Sequence, residues 1–285
     1  MIRRSVIALA LLAALAPAAR AQTVDELLAK HYQAQGGLEK MLKVQSWRMT
    51  GKMSVGPGME APFVMEKKRP GKMRLEFTFS GMTGIQAFDG KTGWAVMPFM
   101  GKKDPEPMPE EQLKEMSDQA DFDGPLVDWK AKGHTVELVG KESVEGADAY
   151  KVKLTKKDGR EEFYYLDADS YLIIKEEAKR TMRGTEIEGE SSLGDYKDVN
   201  GLMVPYSITS GMKGNPQKQT LSMDKIEVDV AIDDSRFAMP AVTASDSTAK
   251  AAGDKAADVK APAAKTPPAK SAAAKKTAAA AGKGK

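Results

Sequence analysis

Residues 72–79, Lys-Met-Arg-Leu-Glu-Phe-Thr-Phe, constrain the fold more than any other stretch of this chain. Met73, Leu75, Phe77 and Phe79 alternate with Arg74, Glu76 and Thr78, the period-2 pattern of a strand with one apolar face and one wet face. After a short connection, Asp89-Gly90 turns the chain into a further strand that carries Trp94 and Met97 and stops at Pro98. Asp158-Gly159 and Asn200-Gly201 are turn dipeptides of the same kind, each flanked by residues suited to strands. Together they predict a sheet built from successive antiparallel hairpins.

Upstream, Trp47, Met49, Met53 and Val55 fall on one face of a strand that contains Gly51; Pro57-Gly58 turns it and residues 62–68 return it. Later strands are predicted over residues 135–142, 149–155, 161–167, 172–181, 202–210 and 219–230. Helices are few. Thr23 and Glu26 form a capping-box signature ahead of Val24, Leu27, Leu28, His31 and Tyr32 at helical spacing. Gly36-Gly37 interrupts this helix, and Leu38, Met41 and Leu42 resume its apolar face. In mid-chain, Pro109 opens a polar helix with Leu113 and Met116 on its thin apolar stripe, and Leu126, Val127 and Trp129 add another turn. The predicted fold class is mainly β (α+β), a large antiparallel sheet with an N-terminal helix and a central helical insertion.

Both ends of the chain fall outside that domain. Residues 1–21 read as a secretory signal peptide: Arg3-Arg4, an apolar run of about 12 residues too short to span a bilayer, then Ala19-Arg20-Ala21 as a cleavage signature. The mature chain is expected to start at Gln22. With no Cys, neither a lipid-anchored N-terminus nor a disulfide scaffold is available, which fits a soluble protein of a bacterial periplasm. Residues 241–285 are Ala, Lys, Pro, Ser and Thr with almost no large apolar side chain, a composition that predicts a disordered tail.

The formal charge of +3 belongs to these ends. The tail holds 9 Lys against 3 Asp and the leader holds 3 Arg, so residues 22–240 keep 31 basic and 37 acidic side chains, a net of −6. An acidic core argues against nucleic acid as its partner. The basic tail suits contact with anionic wall or membrane polymers, or serves as a solvated extension.

A sheet this large must bury its apolar face, and two modest helical segments are too few to cover it, which leaves room for a ligand cavity. Eleven of the 17 Met lie between positions 41 and 116, and methionine's flexible, polarizable side chain suits surfaces that accept ligands of varied shape. Catalytic signatures are missing from the sequence. His31 and His134 are the only histidines and lie 103 positions apart. No Gly-x-Ser-x-Gly, His-Glu-x-x-His or phosphate-binding glycine loop occurs. Asp167 and Asp169 read as a turn, Glu110, Glu111 and Glu115 as a charged helix face, and Met97-x-x-Met100 lacks the His or Cys support that a copper site needs. No metal, cofactor or enzymatic activity is expected.

Lys68-Arg69-Pro70 followed by the amphipathic strand, then Asp89-Gly90-Lys91-Thr92, Trp94 and Pro98-Phe99, resembles the LolA-like outer-membrane lipoprotein-sorting proteins. Gly194 to Gly201 with Val204-Pro205 looks like a related lipoprotein-sorting branch. The resemblance implies an incomplete antiparallel barrel with helices over a concave apolar face. It implies a monomeric periplasmic carrier of lipoprotein acyl chains, or of another lipid, between an inner-membrane donor and an outer-membrane acceptor. Arg69 would hold the covering helices, and Met73, Leu75, Phe77, Phe79, Trp94, Met97, Trp47, Met49 and Met53 would line the cavity. The alternative reading is a non-catalytic envelope-interaction protein with a closed β core and the basic tail as its contact.

Overall fold

The computed structural model describes residues 22–56, 58–182 and 185–241. The predicted signal peptide, residues 1–21, and the residues from 242 onward, including nearly all of the predicted tail, lie outside the described residues. The capping box forms: Thr23 Oγ1 accepts from the Glu26 backbone N–H (3.2 Å) and Glu26 accepts from the Thr23 N–H (3.0 Å). This starts α1 (Val24–Ala34), which breaks at Gly36 and Gly37, both at positive φ, before α2 (Leu38–Lys43). The break is tight for a physical reason. A Cβ on Gly36 would stand 2.1 Å from the Gly201 carbonyl oxygen, so the two-glycine corner docks backbone to backbone on a distant hairpin turn.

Thirteen strands follow: β1 (Ser46–Gly56), β2 (Met59–Lys68), β3 (Lys72–Phe79), β4 (Met82–Phe88), β5 (Gly93–Met97) and β6 (Lys102–Pro107), then, after α3 (Glu110–Gln119), β7 (Thr135–Val144), β8 (Ala147–Thr155), β9 (Glu161–Asp167), β10 (Ile173–Met182), β11 (Thr185–Val199), β12 (Leu202–Met212) and β13 (Lys218–Val228). They form one sheet in the order β6-β5-β4-β3-β2-β1-β13-β12-β11-β10-β9-β8-β7. Each recorded pairing is antiparallel. Two meanders therefore grow in opposite directions from the β1–β13 pair, and β6 and β7 are left as unpaired edges of an unclosed sheet.

The predicted turns sit where the dipeptides place them. Asp89 Oδ1 accepts from the Lys91 and Thr92 N–H groups (2.8 and 2.7 Å), and Asn200 and Gly201 take φ of 55° and 78°, the positive pair that a two-residue hairpin loop requires. Three expectations need correction. β6 and β11 were not predicted, because neither carries apolar alternation. β11 is instead held by polar cross-strand contacts, including Ser191 to Ser210 (2.8 Å), Lys175 to Glu190 (3.1 Å) and the Lys218–Glu190 pair. Residues 125–133 form a run of turns, not the extra helical turn predicted at Leu126–Trp129.

The two edges also explain where α3 goes. The chain leaves the sheet at β6 and must re-enter at β7, so the α3 segment has to cross from one edge to the other. Met116 and Ala120 pack there with Met73 of β3, Phe88 of β4 and Met108. At the other end α1 presses Leu27 and Leu28 onto Val136, Val152, Leu154, Leu166 and Ile173 of β7–β10. The helices thus bury the two flanks of one sheet face and leave its middle less covered.

The opposite face is not the wet one that the alternation predicts. The segment after β13 returns across β1–β5 as a strap that seats Ile232 and a fully buried Phe237. Glu66, 1% exposed, binds Arg48 (3.0 Å) and Arg236 (2.6 Å), while Glu76 binds Arg74 (2.6 Å) and Arg236 (2.9 Å). Charges in this register are tolerated because each finds an opposite charge when the strap closes over them.

Candidate functional site

Cross-strand register assembles one apolar strip on the helix side of the sheet. Met49 pairs with Met65 and Ile226, Met65 with Leu75, Phe63 with Phe77, Met53 with Ala61 and Leu221, Leu221 with Ile208, and Ile208 with Leu193. Directly paired residues share a face, so the strip runs unbroken from β3 through β2, β1, β13 and β12 to β11. Its floor residues Ala61, Phe63, Met223 and Ile226 are buried, whereas Trp47, Met49, Met65, Leu75, Phe77, Tyr206 and Ile208 are only partly so.

Part of the strip opens into a cavity of ≈ 400 Å³ between the sheet and the covering elements. That is within the range of about 300–1,000 Å³ typical of small-molecule sites. Trp47, Met49, Ile173, Leu193 and Val204 supply its apolar wall; Tyr32, Met41 and the 121–127 segment roof it. Tyr32 donates to the Leu126 carbonyl (2.7 Å), and burial, with Asp128 and Asp25, pushes its phenol up to about 12. Tyr196 donates to the Ile173 carbonyl (2.6 Å) and is likewise raised by burial. Both hydroxyls therefore stay protonated donors, Tyr32 tying α1 to the 121–127 segment and Tyr196 tying β11 to β10 within the wall.

Arg69 sits at the roof's hinge, its main chain turning through a cis peptide to Pro70. Nε donates to the Val44 carbonyl (2.7 Å) and Nη2 to the Met41 carbonyl (3.3 Å), at the end of α2. Nη1 and Nη2 also grip Asp123 end-on at 2.6 and 2.5 Å, and the guanidinium stacks over Phe122 at 4.4 Å. One planar fork thus joins α2 to the segment that follows α3, a task for which a lysine has the wrong geometry.

The other sequence-predicted residues divide. Trp47, Met49, Met53, Leu75 and Phe77 belong to the strip, and Phe77 and Phe79 pack against Phe99 with ring centroids 5.5 and 6.4 Å away. Met73 is on that face but 2% exposed beneath α3, so it is helix contact, not cavity wall. Met97 ends β5 opposite Lys102, near the sheet edge. Trp94 lies on the opposite face: it pairs with Ala87 beside Arg74, and its Nε1–H donates to the Phe237 carbonyl (2.8 Å) beneath the strap. Alternation measured from Gly93, whose partner is Phe88, puts Trp94 one step out of phase with the cavity.

Sequence reasoning also passed over Lys67. It shares the phase of Phe63 and Met65, pairs with Trp47 on one side and Met73 on the other, and lines the cavity. A cation in an apolar phase was the available signal. Burial pushes its ammonium below the ordinary value, against attraction from Asp121. The histidines are structural: His31, 2% exposed, donates from Nδ1 to the Tyr171 carbonyl (2.8 Å) and is held down by burial, while Nδ1 of His134 accepts from the Lys157 N–H (3.2 Å). Asp167 caps its own turn through Ser170 and Asp169. Among the described residues no group of three or more His, Asp or Glu is arranged to hold a metal ion.

No family model matches the chain, and no curated protein sequence does. Solved structures are similar in fold. A domain classed with outer membrane lipoprotein-sorting proteins, from Vibrio parahaemolyticus, is 10% identical over 74% of this chain and 94% of its own, with a TM-score of 0.51. A DUF1329 family protein from Desulfovibrio piger is 12% identical over 76% and 98%, with a TM-score of 0.55. A LolA superfamily protein from Nitrosomonas europaea is 15% identical over 76% and 98%, with a TM-score of 0.50. Identities this low speak for the fold alone, and with an unclosed 13-stranded antiparallel sheet and helices over one face, the chain adopts the LolA-like fold.

Proposed function

We propose that this protein is a non-enzymatic carrier of the bacterial envelope that holds acyl chains, of lipoproteins or of another lipid, in its apolar concavity for transfer toward the outer membrane. The observation that carries the reading is the strip from Leu75 to Leu193, partly covered in its middle although both flanks of the same face are buried under helices. The name of the Vibrio parahaemolyticus domain, an outer membrane lipoprotein-sorting domain, supports a lipid ligand. A periplasmic location follows from the signal-peptide reading of residues 1–21.

Burying a chain of about sixteen carbons at about 0.8 kcal/mol per methylene supplies on the order of 10 kcal/mol before losses, enough to solubilise it yet permit release. In this reading Arg69 acts as a latch, since freeing its fork would release α2 and the 121–127 segment together. The unclosed sheet favours the carrier over a protein with a closed β core. The test is to purify the chain from a bacterial periplasm and examine it by native mass spectrometry and by uptake of a fluorescent acyl probe. A co-purifying lipid, or saturable uptake, is expected; a protein that is always empty and takes up no probe would overturn the reading.

A further inference from the structure

Lys67 is out of place in a purely apolar carrier. It is paired across the sheet with Trp47 on one side and Met73 on the other, and it lines the cavity. Every other charged residue of that lining has a partner. Asp118 binds Arg160 (2.5 Å) and Lys156 (3.4 Å), Asp121 binds Lys132 (2.7 Å), Asp123 binds Arg69, and Glu176 is also engaged. Among the described residues no carboxylate comes within 4.0 Å of the Lys67 ammonium, and no hydrogen bond from it is formed.

An unpaired ammonium in a half-dry cavity raises the question of what offsets its desolvation. We infer that Lys67 is the headgroup reader of the cavity, binding the carboxylate of a single-chain fatty acid whose tail runs along Trp47 and Met49. This deepens the carrier reading and rests on it. Two features of the site select that ligand class. The cavity of ≈ 400 Å³ suits one chain better than several. One cation neutralises one charge, so a monoanionic carboxylate fits where a dianionic phosphate would face Asp118, Asp121 and Asp123 across the same space.

Bromine quenches tryptophan on contact, and Trp47 flanks Lys67, so the experiment is a fluorescence titration of the full chain with 4-bromododecanoate and 4-bromododecan-1-ol, which carry the bromine near the headgroup, with dodecanoate and dodecyl phosphate as competitors. The wild type is expected to bind the carboxylate at least tenfold more tightly than the alcohol. Lys67→Met, with folding checked by circular dichroism, should keep the alcohol affinity and lose that preference, while Lys67→Arg retains it. Equal affinity of the wild type for acid and alcohol overturns the inference and leaves the carrier reading standing. Tighter binding of dodecyl phosphate than of dodecanoate overturns the carboxylate assignment. Binding of none of these ligands overturns the carrier reading as well. The wild-type comparison stands by itself if Lys67→Met does not fold.

Discussion

Arg69 and Asp123, 54 positions apart, meet end-on through two hydrogen bonds of 2.6 and 2.5 Å, with their side chains 22% and 18% exposed. The same guanidinium takes the carbonyls of Met41 and Val44, so a single side chain joins the end of α2 to the roof of the cavity. Arg69→Leu leaves one carboxylate and two carbonyls short of their partner and should cost about 2–3 kcal/mol in urea unfolding. Its larger effect should be on the carrier function, with an acyl probe exchanging several-fold faster than in the wild type. Unchanged exchange in a folded variant would remove the latch role.

The strap is predicted to be a main element of stability. Phe237 is fully buried, so Phe237→Ala should cost about 3–5 kcal/mol. Glu66→Ala strips Arg48 and Arg236 of a shared, 1% exposed partner and should cost about 2–3 kcal/mol, the range for breaking a buried pair being lowered because both arginines are about one third exposed. Denaturation midpoints that match the wild type for both variants would show that the strap contributes little.

Gly36→Ala is predicted to be among the most damaging single-methyl changes in the chain. The added carbon would sit 2.1 Å from the Gly201 oxygen at a φ of 109°, and the Gln35 carbonyl next to it accepts from the Met203 N–H (3.1 Å). A loss of about 3 kcal/mol or more is expected, because both strain and undocking of the α1–α2 corner contribute. Thermal melting of Gly36→Ala beside Gly37→Ala, whose Cβ meets nothing within 4 Å, separates the clash from the shared cost of positive φ.

Acid should act through Glu177. Burial opposes its ionisation, but hydrogen bonds from Lys175, Lys213 and Tyr165 outweigh this and hold the carboxyl down from 4.5 to about 2. A depressed carboxylate stabilises the fold fully above the unfolded value and loses that contribution as the pH falls toward the folded one. Stability should therefore decline between about pH 4.5 and 2. Glu177→Gln should flatten this limb in a melting series across that range; an identical limb in the variant would assign the acid response to other groups.

Most of the sheet was legible because its signals are local. The alternation in residues 72–79, the Asp-Gly and Asn-Gly turns and the Thr23–Glu26 capping box each act within a few residues, and each formed as written. β11 stayed hidden because Ser191 and Glu190 find their partners on β10, β12 and β13, and a polar strand carries no period until those neighbours are known. Trp94 was put on the wrong face, since period 2 separates two faces without saying which is concave. Lys67 was overlooked because its phase matters only once Trp47 and Met73 flank it.

By itself, then, the sequence determined that this chain is a meander of antiparallel hairpins opened by a broken helix, since backbone propensity, turn chemistry and side-chain period are fixed by near neighbours. Tertiary structure alone decided that β1 joins β13, that α3 crosses between the two edges, and that Arg236 closes on Glu66 from 170 positions away. Those contacts depend on which surfaces and charges meet in space. They turn an amphipathic sheet into a partly covered apolar cavity, with Arg69 joining α2 to the 121–127 segment and Lys67 in the lining.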